Sequence, residues 1–76
     1  MRELLEFLAR ELVDDPDAVE VTESADDRGV LLTLRVAPED MGKVIGRGGR
    51  TARAIRSVVR AAATRQGLAV HVDIAD

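Results

Sequence analysis

Val44-Ile45-Gly46-Arg47-Gly48-Gly49-Arg50 decides how this chain is read. It is a Gly-x-x-Gly turn entered from an apolar stub and left through an arginine-studded segment of helical pattern. Glycine admits φ > 0 and carries no Cβ, so a backbone built from it can approach a ligand closely. A helix starting at such a turn aims unpaired N–H groups and the positive end of its dipole at one spot, which favours an anion. Arg47 and Arg50 add formal charge beside it. The chemistry suggested is capture of a phosphate backbone.

Charge is partitioned in the same sense. The chain has 11 basic and 14 acidic residues, a net of −3. Yet 41–66 holds seven basic residues (Lys43, Arg47, Arg50, Arg53, Arg56, Arg60, Arg65) and no acid, leaving −10 on the remainder. Local field rather than net charge attracts a polyanion, so an acidic chain can still present one binding face.

The 76 residues suit one small domain covering 1–76, burying about 60–65% of its unfolded surface. With no cysteine, neither a disulfide framework nor a thiolate metal site is available. The acid-interrupted start Met1-Arg2-Glu3-Leu4-Leu5-Glu6-Phe7 does not fit a signal peptide, and no apolar run reaches membrane-spanning length. A cytoplasmic setting is expected.

Leu4, Leu5, Leu8 and Leu12 have helical spacing over 2–13, and Asp14-Asp15-Pro16 ends that helix. Val19 and Val21 alternate with polar neighbours in a short strand, 24–29 reads as a polar turn, and Val30, Leu32, Leu34 and Val36 alternate in a stronger strand. The two strands are expected to form a hairpin. Pro38-Glu39-Asp40 opens a short helix running to the glycine turn. A long helix follows over 50–66, with an apolar face of Ala52, Ile55, Val58, Val59 and Ala62 and a flank of Arg53, Arg56 and Arg60. Gly67 is the expected stop. Leu68, Val70, Val72 and Ile74 alternate in a last strand. The prediction is an α+β fold of order α-β-β-α-α-β, a three-stranded sheet with helices packed on one face.

Helix, Gly-x-x-Gly, helix, with Ala52 and Ile55 at core spacing, resembles the KH nucleic-acid-binding module. The element order is similar to its type II form, and nearly the whole chain resembles the small stand-alone bacterial KH proteins of the KhpA type. The resemblance implies a clamp on sugar-phosphate through the turn, with about four nucleotides along the neighbouring groove. The implied site is Lys43, Val44, Ile45, Gly46, Arg47, Gly48, Gly49, Arg50 and Arg53, with Arg35 on the strand carrying Leu34 and Val36. Phe7 is the only aromatic residue, so bases would rest on aliphatic side chains rather than stack on rings.

Other readings fail on spacing. A dinucleotide fingerprint needs glycine where Thr51 stands, and a Walker loop needs Gly-Lys-Ser/Thr where Gly49-Arg50-Thr51 stands. A single histidine, His71, and no cysteine leave no nucleophile–base pair, so no enzyme, metal or cofactor is expected. Asp14-Asp15 and Asp26-Asp27 read as helix-stop and turn acids. The resemblance implies a single-stranded RNA partner in an RNA chaperone or post-transcriptional regulator tied to cell shape. It equally implies a homodimer, or a heterodimer with a larger Jag-type KH protein, whose interface could include the glycine turn. Single-stranded DNA would fit the same groove.

Overall fold

The computed structural model describes residues 1–75. Helix α1 spans Arg2–Leu12 and carries a Glu6–Arg10 ion pair one turn apart, at 3.8 Å. Its buried residues are Leu5 and Ala9. Leu4 and Leu8 are partly buried against the core beside them, and Leu12 is left on the surface. Val13 turns extended and Pro16–Ala18 forms a single tight turn, as an Asp-Asp-Pro stop requires.

Strands β1 (Glu20–Asp26) and β2 (Gly29–Arg35) pair antiparallel as the expected hairpin, in a register running from Glu20↔Arg35 to Asp26↔Gly29. The expected polar turn over 24–29 is corrected here. Ser24, Ala25 and Asp26 continue the ladder, and the turn itself is Asp27-Arg28, with the Arg28 N–H donating to Asp26 Oδ1 at 2.7 Å. These strand residues are exposed, so backbone pairing with β2 sets their conformation where side-chain alternation gives little signal.

After β2, Pro38–Asp40 makes a 3₁₀ turn and helix α2 runs Met41–Ile45. Helix α3 spans Arg50–Arg65. Its end is a Schellman motif on Gly67 (φ 72°), with Leu68 N–H donating to Ala63 O at 2.9 Å and Gly67 N–H to Thr64 O at 3.0 Å. Because residues 67–68 are spent closing the helix, β3 begins only at Val70 and runs to Ile74, parallel to β2. The sheet order is β1-β2-β3, so the α2–α3 segment is the crossover between two adjacent parallel strands.

All three helices cover one face of the sheet. The core joins Leu5 and Ala9 of α1, Val21, Leu32, Leu34, Val70 and Val72 of the strands, Val44 of α2, and Ile55, Val59 and Ala63 of α3. Ala63 rather than Ala62 completes the α3 stripe, and Val58 is 47% exposed. Thr22, Ser24, Leu31, Arg35, His71 and Asp73 occupy exposed positions that alternate with the buried ones on the open face.

Candidate nucleic-acid interface

The turn between α2 and α3 is made by three left-handed glycines. Gly46 ends α2 at φ 74°, ψ 170°, and its N–H donates to Gly42 O at 2.9 Å. Gly48 and Gly49 follow at φ 65° and 78°. Gly49 N–H donates to Gly46 O at 3.1 Å, and Arg50 N–H donates to Arg47 O. Four amides were candidates for gripping an anion, but the outer two are already used inside the turn. Among the described residues, Arg47 and Gly48 keep open N–H groups. Arg47 holds negative φ and Gly48 positive φ, a succession that gathers neighbouring N–H groups into an anion-binding concavity. The N-terminus of the 16-residue α3 stands directly behind it.

Arg47 and Arg50 are exposed, and among the described residues neither makes an ion pair or side-chain hydrogen bond. Arg53, also exposed, donates from Nη1 to Gly48 O at 2.9 Å. Arg56 donates from Nε to Val72 O at 3.0 Å. The ladder bonds Val30 N–H to Ala69 O and Ala75 N–H to Leu34 O show that the odd-numbered residues of β3 face β2. Val72 therefore offers its carbonyl on the outer edge, where Arg56 ties the strand to α3. Of the expected arginine flank, Arg56 is thus committed to the scaffold.

Lys43 is held by carboxylates, 3.2 Å from Asp14 and 3.8 Å from Asp40. Asp40 is 1% exposed. Its Oδ2 accepts the Asp15 N–H at 3.1 Å, while Oδ1 has no hydrogen-bond donor. This bracket joins the end of α1 to the start of α2 and so aims the helix that delivers the glycine turn. The sequence reading treated Asp14 and Asp40 only as helix-terminus acids. The Asp40–Lys43 spacing of three was the one local signal of a pair.

The expected groove wall is only partly realised. Ile45 is 38% exposed beside the turn, but Val44 is fully buried in the core. Leu34 and Val36 are buried and β2 is the central strand, so neither can line an open groove. Arg35 alternates with Leu34 and lies opposite Glu20 in the ladder, on the sheet face away from the helices. The exposed sheet edge beside α3 belongs to β3. His71 is exposed on the open face. Among the described residues, no three His, Cys, Asp or Glu side chains are grouped to hold a metal ion, and no helix is long and apolar enough to cross a membrane.

A second surface feature was not legible beforehand. Leu8 and Leu12 of α1 and Ala54, Ile55 and Val58 of α3 line an apolar groove open to solvent. Phe7, on the same helix as Leu8, is 59% exposed.

A helix–glycine turn–helix crossover on a three-stranded mixed sheet, with its turn opening amides and arginines to solvent, defines a KH domain. The chain belongs to the KhpA/KhpB KH-domain family, whose model matches residues 2–74. It is 54% identical to a protein of Halalkalibacterium halodurans over the full length of both chains. It is 53% identical to one of Clostridium acetobutylicum over 97% of this chain and 99% of that one. A Streptomyces coelicolor protein is 50% identical over all of this chain and 92% of its own. Each of the three is named RNA-binding protein KhpA.

Proposed function

We propose that this chain is a non-catalytic, cytoplasmic protein that binds single-stranded RNA at the turn 46–49. The observation that carries the reading is the pair of open amides at Arg47 and Gly48, set in a left-handed turn at the head of α3 beside Arg47 and Arg50, which make no ion pair among the described residues. A phosphate oxygen accepts from those amides, the Arg47 and Arg50 guanidiniums supply long-range attraction, and Ile45 and the neighbouring aliphatic surface carry the adjacent bases. Gly46 and Gly49 shape the turn, while Val44 and the Asp14–Lys43–Asp40 bracket support it from behind. RNA is preferred over DNA as ligand because the relatives share the name RNA-binding protein KhpA. A role as RNA chaperone or post-transcriptional regulator follows from a clamp on backbone that tolerates many sequences. Amide shifts in ¹H–¹⁵N spectra during titration with a short unstructured RNA test the site. The expected result is perturbation centred on 47–50 and the β3 edge; changes confined to the open sheet face would contradict it.

The apolar α1–α3 groove supports a second, compatible reading: the chain pairs through it with another copy. Phe7, Leu12 and Val58 are large apolar side chains left on the surface of a small domain, and patches of this kind mark association sites. The same surface would accept a KH domain of a larger Jag-type partner. The groove reaches Thr51, which packs against Gly46, so its occupation and RNA binding at the turn would be neighbouring events.

A further inference from the structure

The Gly48–Gly49 peptide adjoins the open amides of Arg47 and Gly48. Gly48 and Gly49 are both left-handed, and no Cβ at 48 would touch anything within 4 Å. Side-chain packing therefore cannot hold this peptide plane; hydrogen bonds must. Its N–H end is held by Gly46 O at 3.1 Å. Its carbonyl end is held by the Arg53 guanidinium at 2.9 Å. A second feature agrees with the first. A Cβ at Gly49 would stand 3.3 Å from Arg53 Nη1, tighter than ordinary contact, so the missing side chain at 49 leaves the path along which Arg53 reaches back over the turn.

We propose that Arg53 is a positioning residue for the anion site and not a phosphate contact. The inference rests on the RNA-binding reading above for its ligand, but its structural half stands without it. A free Gly48 carbonyl beside the concavity would present a negative dipole to an arriving phosphate. Bonded to the guanidinium, the carbonyl is turned aside and its charge offset, and the turn offers the ligand N–H groups alone. Because both flanking residues are glycine, loss of the brace frees the peptide plane and leaves the Gly48 carbonyl unpaired beside the two open amides. The resemblance placed Arg53 in the site beside Arg47 and Arg50. The geometry separates them, since among the described residues Arg47 and Arg50 have no partner and Arg53 has one on the turn itself.

The test uses the full chain with Arg53→Met, which keeps the length and apolar stem of the side chain, and with Arg53→Lys, which keeps the charge and a single donor. Affinity for a short unstructured RNA is measured over a salt series, and ¹⁵N relaxation is recorded at Arg47–Gly49 without RNA. Arg53→Met should weaken RNA binding about tenfold, the worth of one charge-assisted hydrogen bond, with the slope of log affinity against log salt unchanged. Gly48 and Gly49 amides should become more mobile, and Arg53→Lys should recover much of both effects. A slope reduced by about 0.7, the value of one lost phosphate contact on a single strand, with relaxation unchanged, overturns the proposal in favour of direct contact. Unchanged affinity and unchanged relaxation overturn it as well. If the wild-type chain binds no RNA, the functional reading fails, and the relaxation measurement alone still decides whether Arg53 braces the turn.

Discussion

Thr51, the second residue of α3, packs its side chain against the Cα of Gly46, so a methyl group at 46 would collide with the Thr51 hydroxyl, Cβ and backbone nitrogen. The two ends of the Gly-x-x region therefore do different work. Gly46 is a packing glycine that lets α2 and α3 meet, whereas Gly48 faces open space and is left-handed only to form the concavity.

This difference predicts unequal substitution costs. Gly46→Ala meets both left-handed strain and steric overlap, and should destabilise the domain by about 2–4 kcal/mol. Gly48→Ala meets only the strain, about 1–2 kcal/mol. Urea denaturation of the two variants checks the order, and equal midpoints would contradict the packing role of Gly46.

Asp40 predicts a larger loss than its neighbour in the same bracket. Asp40→Ala strips a buried acceptor from the Asp15 N–H and a carboxylate from Lys43, costing about 1–3 kcal/mol. Asp14→Ala removes an 81% exposed partner from the same lysine, and exposed pairs contribute about 0–1 kcal/mol. Thermal melting of both variants should show a marked drop for the first and little change for the second.

Gly42 lies inside α2, and a Cβ there meets nothing within 4 Å. Gly42→Ala should therefore raise stability by about 0.5–1 kcal/mol, chiefly by restricting the unfolded chain. Denaturant titration showing a lower midpoint would contradict the open space around Gly42.

Val58 lies on the solvent side of α3 in the apolar groove. Val58→Glu should leave the fold intact and disperse self-association, read by sedimentation velocity over a concentration series. RNA affinity per site should change little. A wild-type chain that sediments as a monomer at high concentration would remove the pairing reading.

The features most legible in sequence were those with local chemistry. Gly67 stops α3, Pro38 opens the turn before α2, and the glycines at 46–49 lie between helices, each for a reason confined to a few residues. Features set by distant partners were harder to read. Ser24–Asp26 are polar and exposed, and only their pairing with β2 makes them a strand. The leucine row of α1 marked its core face through Leu4, Leu5 and Leu8, but Ala9 joins the buried positions and Leu12 is left to the groove. Charge also required the fold to sort it. Of the seven basic residues in 41–66, Lys43 is engaged by carboxylates, Arg56 by Val72 and Arg53 by Gly48, while among the described residues Arg47, Arg50, Arg60 and Arg65 make no ion pair or side-chain hydrogen bond. Arg35 entered the expected site through the resemblance, on the strand carrying Leu34 and Val36, and strand alternation sends it to the other face.

The central claim is tested most directly by titrating a short unstructured RNA against the wild-type chain and the double variant Arg47→Asp, Gly48→Asp. Both positions are exposed, and aspartate is among the residues that tolerate a left-handed backbone, so the variant should fold, as its circular dichroism will show. Two carboxylates at the open amides should abolish measurable binding at physiological salt, while the wild type binds with an affinity that falls as salt rises. A folded double variant that holds RNA as tightly as the wild type would contradict the account.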